Sequence, residues 1–267
     1  MAADSTGARL LQGAPIAAEI RASVKDDVAA FKRRHGYAPS LSVVIVGRDA
    51  PSIVYLQQIL RSCRNVGING SLVEIPGRVS AAALKERIEQ LNADPLVSGI
   101  IVQMPLPRHI PLSTVTDTID PSKDIDGINL RNAGLMTLGY EGFLPTTAQA
   151  AVEILKRSGI RIEGARAAVI GRSNVVGKPG LVTGRMLKRG AVVVDVGINV
   201  VDGRIVGDVD FDSAKNVASA ITPVPGGVGP VTNALLLTHL LRAAKGQVDR
   251  ARRGGRPAAL RTAASSR

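Results

Sequence analysis

Residues 171–180 read GRSNVVGKPG, directly after the apolar run ARAAVI and ahead of LVTGRMLKRG and a second apolar run, AVVVDVG. A glycine-rich turn between a strand and a helix marks a phosphate site, because amides at a helix N-terminus favour an anion. The spacing here, G-x5-G, departs from the usual G-x-G-x-x-G fingerprint, and a lone glycine turn is more often only a turn. Arg172 offers the turn a charged contact. The next strand follows soon: thirteen residues separate Gly177 from Ala191, close to the dozen that a parallel crossover requires. A short crossover helix over 179–189 is the simple expectation, although Gly180 and Gly184 weaken it by about 1 kcal/mol each.

The same alternation runs outward from this turn. Residues 41–47 (LSVVIVG), 71–76 (SLVEIP) and 98–105 (SGIIVQMP) read as strands, separated by helices over 51–66 and 80–92, the second capped by Ser80. Residues 14–35 read as an added N-terminal helix and 147–157 as a connecting helix. After it come the strand ARAAVIG, the glycine turn, AVVVDVG, a short hairpin at GRIVGDV, the strand SAITPVP and a last helix over 230–244. Continuous Val/Ile strands between helices imply parallel sheets covered on both faces. The expected fold is therefore α/β in two lobes with a cleft between them, and ligands should bind beyond the carboxyl ends of the strands. Residues 106–147, rich in Pro, Asp and Asn, form a connection long enough to be functional.

Composition narrows the function. The 267 residues hold 45% hydrophobic and 21% charged side chains, an ordinary soluble balance, and the 2% aromatic content leaves the core to Val, Ile, Leu and Ala. The single Cys63 excludes an intramolecular disulfide and argues for a reducing compartment, with the cytoplasm as the default. No apolar run approaches a membrane span, and the N-terminus lacks the order of a secretion signal. The net charge of +12 looks like a nucleic-acid signal until it is located: residues 242–267 alone carry eight Lys or Arg against Asp249. That segment has no aromatic side chain to stack on bases, so a solvated basic tail over 245–267 is the favoured reading over a nucleic-acid arm.

Seven stretches, in order along nearly the whole chain, point to one family: SIVY (52–55), GIIVQMPLP (99–107), KDIDG (123–127), NAG (132–134), VIGRSNVVG (169–177), VVVDVGIN (192–199) and TPVPGGVGPVT (222–232). Together they resemble the methylenetetrahydrofolate dehydrogenase/cyclohydrolase family, also called FolD. The resemblance implies an N-terminal three-layer α/β folate lobe over 1–125, with a C-terminal helix over 230–244 packing back on it. It also implies a Rossmann-like NAD(P) lobe over 145–229. The implied reactions are oxidation of 5,10-methylenetetrahydrofolate by NADP, with NAD as the alternative cofactor, and hydrolysis of the methenyl product to 10-formyltetrahydrofolate. A homodimer and a role in purine biosynthesis go with the family.

By the same resemblance, Tyr55 packs on and orients the folate, Gln103 works at the strand end beside a catalytic lysine, and Asp126 holds the pterin nitrogens. Asp124 reads instead as a residue that structures its loop. Gly171, Arg172 and Ser173 match the phosphate loop, Ile198 the nicotinamide side, and Pro225, Gly226 and Gly227 a turn that brings backbone to the folate. No metal site is expected.

Two departures qualify the expectation. The family's lysine falls one helical turn after the tyrosine, where this chain has Ile59, and neither Gln58 nor Arg61 lies on that helix face. Family members also carry two glycine boxes, whereas here a single box reads like the first before Lys178 and like the second after it. Roughly forty residues, including the strand that ends at the adenosine ribose, are then missing, and the second lobe is a truncated one. The rival reading is an impaired member that binds folate or partners a dimer without turnover.

Overall fold

A computed structural model describes residues 7–47, 50–170 and 177–253, without the side chains of residues 50–52, 54 and 55. The chain begins with β1 (Arg9–Leu10), α1 (Gly13–His35), β2 (Ser40–Val46), α2 (Ala50–Asn65), β3 (Asn69–Ile75), α3 (Ala81–Ala93) and β4 (Gly99–Val102). It continues through α4 (Ser113–Thr116), α5 (Leu130–Thr137) and α6 (Thr146–Arg157). After these come β5 (Val192–Val193), β6 (Asn199–Val201), β7 (Arg204–Val206), α7 (Phe211–Ala214), β8 (Ala220–Ile221) and α8 (Val228–Arg253). Two compact units result: one holds residues 20–146 and 233–267, the other 1–19 and 147–232. The N-terminal arm thus groups with the second half of the chain rather than with the rest of 1–125.

In the first unit, β3, β2 and β4 form a parallel sheet in that order, with Val44 paired to Val73 on one side and Val102 on the other. The buried Val/Ile runs behave as their composition predicts, because a central parallel strand meets apolar side chains on both faces. Leu84, Ile88 and Leu91 of α3 pack with Val44, Ile100 and Val102 in one cluster. Ser80 caps α3 by accepting a hydrogen bond from the Ala83 amide at 3.2 Å.

The long connection after β4 is ordered by buried polar groups. The Lys123 ammonium donates to the carbonyls of Leu91, Asn92 and Asp94 at 3.1, 2.7 and 2.6 Å, closing the C-terminal end of α3. The fully buried Asp124 carboxylate accepts from the amides of Ile128 and Asn129 and from the Asn132 side chain. Asp124 thus structures its loop, as its sequence context predicts. A bridge between Ile100 and Asp124 continues the parallel sheet by one position.

The second unit is smaller than its sequence suggests. Its parallel sheet, ordered β1-β8-β5, has strands of two residues each, and β6 and β7 form a hairpin turning at Asp202 and Gly203, both at positive φ. The pairing of residues 9–10 with β8 has no signature in the sequence. Residues 165–170, expected as a strand, form none, and Val169 is 90% exposed. The expected crossover helix over 179–189 is also absent: only a single 3-10 turn, Gly184–Met186, forms there. The cause is the seating of residues 177–190. Val182 exchanges backbone hydrogen bonds with Asp208 and Asp210, the Gly184 amide donates to the Ser213 hydroxyl, and the Gly190 amide donates to the Val217 carbonyl. Pinned along 208–217, this segment cannot rise as a helix and return.

The last helix runs to Arg253, beyond the expected end at residue 244, so the first nine residues assigned to the basic tail are helical. Its apolar face continues to the buried Val248, and the Gln247 side chain donates to the Val97 carbonyl at 2.8 Å. Among the described residues, no helix is long and apolar enough to cross a membrane.

Candidate active site

The first unit places Gln103 at the carboxyl end of its β3-β2-β4 sheet and Asp126 in the connection that follows. Gln103 directly follows β4, its amide donating to the Val44 carbonyl at 2.8 Å, while its side-chain Nε2 donates to the neighbouring Met104 carbonyl at 2.7 Å. Asp126 lies two residues past the Ile100–Asp124 bridge, in a turn that the Gly127 amide closes by donating to the Asp124 carbonyl at 3.4 Å. Tyr55 lies on the helix that leaves this end of β2, and its side chain lies outside the described residues.

Asp126 is held on two sides. Its Oδ1 accepts from the Thr146 hydroxyl at 2.5 Å, at the first residue of α6. The next residue, Gly127, has φ 70°, and a Cβ there would lie 2.6 Å from the Phe143 carbonyl oxygen, so only glycine lets the loop close on residues 143–144. Burial pushes the Asp126 carboxyl up to about 6; the Thr146 hydrogen bond opposes this, and the nearby Asp124 adds to it. The carboxyl is therefore poised to gain or lose a proton near neutrality and to bind a cationic or N–H-rich ring face.

Ile59 is 1% exposed and lies in the core, whereas Gln58 and Arg61 on the same helix are exposed. None of the described side chains of α2 supplies an amine in place of the missing lysine.

In the second unit, Gly171, Arg172 and Ser173 lie outside the described residues. The chain from Gly177 onward fits a phosphate poorly, because no helix starts there to present its amides. Gly177 presses on the Asp208 carboxylate: a Cβ there would stand 2.3 Å from Oδ1. Ile198 is 64% exposed and free to cover an apolar ring. The Pro225-Gly226-Gly227 turn forms as expected, with Gly226 at φ 107° and its carbonyl accepting from the Gly13 amide at 2.8 Å.

Sequence reasoning gave no role to the residues that hold this unit's strand ends. The buried Asp195 carboxylate accepts from the amides of Gly197, Asp208 and Val209, and its own amide donates to the Thr222 hydroxyl at 2.8 Å. Asp195 stands inside the VVVDVGIN stretch and Asp208 shortly after it, but an acid beside a strand gives no hint of which distant amides it will serve. Thr146 and His239 were missed for the same reason.

Residues 11–126 match the family model for the tetrahydrofolate dehydrogenase/cyclohydrolase catalytic domain. The model for the NAD(P)-binding domain of the same family matches in two pieces, 145–180 and 175–248, which share residues 175–180. The "Bifunctional protein FolD" of Herpetosiphon aurantiacus is 41% identical over 284 residues, covering 91% of this chain and 99% of that protein. The protein of the same name from Moorella thermoacetica is 41% identical over 278 residues, covering 89% and 99%. As 91% of 267 residues is about 243, about 40 of the 284 aligned positions face no residue of this chain. Among solved structures, the Trypanosoma brucei N5,N10-methylenetetrahydrofolate dehydrogenase-cyclohydrolase (FolD), complexed with NADP cofactor and inhibitor, aligns with a TM-score of 0.86 and 32% identity. That match covers 91% of this chain and 99% of the trypanosomal one. The Campylobacter jejuni FolD structure gives a TM-score of 0.84 and 34% identity, covering 89% and 98%. Matched in both halves and along nearly the whole length of these relatives, the chain belongs to the tetrahydrofolate dehydrogenase/cyclohydrolase family.

Proposed function

We propose that this protein oxidises 5,10-methylenetetrahydrofolate to the 5,10-methenyl form with NADP as cofactor, and that its hydrolysis of the methenyl product is impaired. The observation that carries the first half is the match of residues 11–126 to the family's catalytic domain, with Gln103 directly after β4 and Asp126 in the connection that follows. Family membership and the relatives' names favour an enzyme over a purely folate-binding protein. In this reading, the unit of residues 20–146 and 233–267 binds the folate. Asp126 takes the pterin N–H groups, Tyr55 covers the ring, and Gln103 turns from Met104 toward the one-carbon centre. A nicotinamide, when bound, would supply the hydride acceptor, with the exposed Ile198 as the residue to cover its ring, while residues 171–173, matched to the phosphate loop by resemblance, lie outside the described residues. Oxidation needs mainly proximity, because the folate nitrogen lone pair stabilises the cation that forms. Hydrolysis needs a positioned proton carrier, and Ile59 is none.

The shortened second lobe belongs to the same reading. The doubled match at 175–180 and the positions without a counterpart support a collapse of two glycine boxes into one, with the adenosine-side strand lost. A homodimer is also proposed, supported by the exposed apolar Val200 and Ile205 on the β6–β7 hairpin. The test is a turnover assay of the purified chain with methylenetetrahydrofolate at saturating NADP, tracking the methenyl product over time. Reduced cofactor forming while methenyltetrahydrofolate accumulates is the expected result. Folate binding without any cofactor reduction would overturn the dehydrogenase reading.

A further inference from the structure

His239 is a buried titratable side chain for which the proposed reaction has no use. It is 5% exposed, on the part of α8 that belongs to the first unit. Its Nδ1 lies 2.8 Å from the Ile125 carbonyl oxygen, the residue directly before Asp126. A carbonyl can only accept, so Nδ1 carries the proton and donates. The ring also leans on Phe143, centroid to centroid 5.3 Å, and Phe143 and Leu144 form the backbone wall against which Gly127 closes. Three residues on, Arg242 donates to the Gly142 carbonyl at 3.1 Å and lies over the Phe143 ring. Gly99 makes the approach possible from below, since a Cβ there would strike both Leu240 and Ile125 at 2.6 and 2.7 Å. One turn of α8 therefore grips both chain segments that carry the Asp126–Thr146 pair.

We infer that His239 is a positioning residue for folate binding, fixing the Asp126 carboxyl through the Ile125 carbonyl. The inference rests on the reading of Asp126 as the pterin-binding carboxylate. Burial lowers the histidine's affinity for a second proton, which keeps the ring neutral and its donor on the Ile125 side. Without that donor the Ile125–Asp126 peptide loses one restraint, and the Asp126–Thr146 hydrogen bond and the Gly127 closure alone are left to aim the carboxyl.

The test replaces His239 by two carboxamides in the full chain. The Asn amide nitrogen reaches the place of Nδ1, whereas the Gln amide nitrogen reaches the place of Nε2. His239→Asn should bind tetrahydrofolate within about threefold of the native protein, and His239→Gln and His239→Phe about tenfold more weakly, as a misaimed Asp126 carboxyl loses part of its hydrogen bonding to the ligand. Urea unfolding of the same variants separates lost affinity from lost fold, and the Asn/Gln contrast survives if the Phe variant does not fold. Equal affinity for Asn and Gln, or native affinity for Phe, would overturn the inference. Asp126→Asn is the companion control: if it leaves tetrahydrofolate affinity unchanged, the reading of Asp126 falls and the inference with it. If it weakens binding while every His239 variant binds normally, only the inference falls.

Discussion

Asp126 carries a carboxyl that the fold holds against its own ionisation, and this has a measurable sign. Its value in the folded protein, about 6, lies above the ordinary 3.8, so between those values the native state keeps a proton that the unfolded chain has lost. Stability should therefore fall as pH rises through that window and stay lower above it. The difference amounts to about 2–3 kcal/mol. Asp126→Asn keeps an oxygen for the Thr146 hydroxyl, so it should stabilise the protein at pH 8 and change little at pH 4. Urea midpoints at the two pH values check this; a gain at pH 4 as large as that at pH 8 would contradict it. A side chain that costs stability at neutral pH is one retained for its chemistry. Ile59 poses the opposite case, an apolar residue well suited to its burial and useless for proton transfer. Ile59→Lys should raise methenyltetrahydrofolate hydrolysis, by up to about 10²-fold, while lowering stability because the new ammonium is desolvated. Stopped-flow decay of the methenyl absorbance measures the first effect, and no increase in a folded variant would show that Gln103 is misplaced.

At the scale of elements, two contacts that the sequence hides decide how segments join. The start of α1 lies directly on the Pro-Gly-Gly turn: a Cβ at Gly13 would fall 1.8 Å from the Gly227 carbonyl oxygen. Backbone on both sides leaves no flexible side chain to yield. Gly13→Ala should cost more than about 2 kcal/mol, read from thermal or urea unfolding, although alanine ordinarily favours a helix. The end of α8 makes the second case. Val248 is buried and Gln247 serves Val97, so truncation after Ala244 should cost about 2 kcal/mol relative to truncation after Arg253. Equal stability of the two truncations would return residues 245–253 to the solvated tail that composition first suggested. Charge misled there because Lys and Arg are also good helix formers when one face of the helix has something to cover.

For the whole molecule, the two units differ in how completely they are built. The first has three parallel strands with helices between them and a polar loop network beneath its site. The second has a parallel sheet of two-residue strands, a single 3-10 turn across residues 177–190, and Val169 and Ile170 left in solvent. Folate affinity should therefore outlast cofactor affinity. NAD and NADP should both bind weakly and within about tenfold of each other, a difference below about 1.4 kcal/mol, because the proposed collapse of the two glycine boxes removes the adenosine-side strand. Calorimetric titration of each cofactor into the purified chain decides the matter. Tight and selective NADP binding would mean that residues 178–188 rebuild the pocket.

Local order was legible in the sequence wherever it depended on local cause. The Val/Ile runs of β2 and β4, the Ser80 cap, the Asp-Gly hairpin and the Pro-Gly-Gly turn all follow from side-chain branching, capping and backbone freedom. The seven motifs named the family. Only the tertiary structure decided what depended on distant partners. It seated residues 177–190 along 208–217 in place of a crossover helix, and it left ARAAVI without a strand neighbour, although its pattern is as apolar as that of a true strand. It assigned buried polar groups their partners: Lys123 to the end of α3, Asp195 to three amides, His239 to the carbonyl before Asp126. A strand is completed by its neighbours and a buried polar atom by its partner, and neither neighbour nor partner is written beside it in the chain.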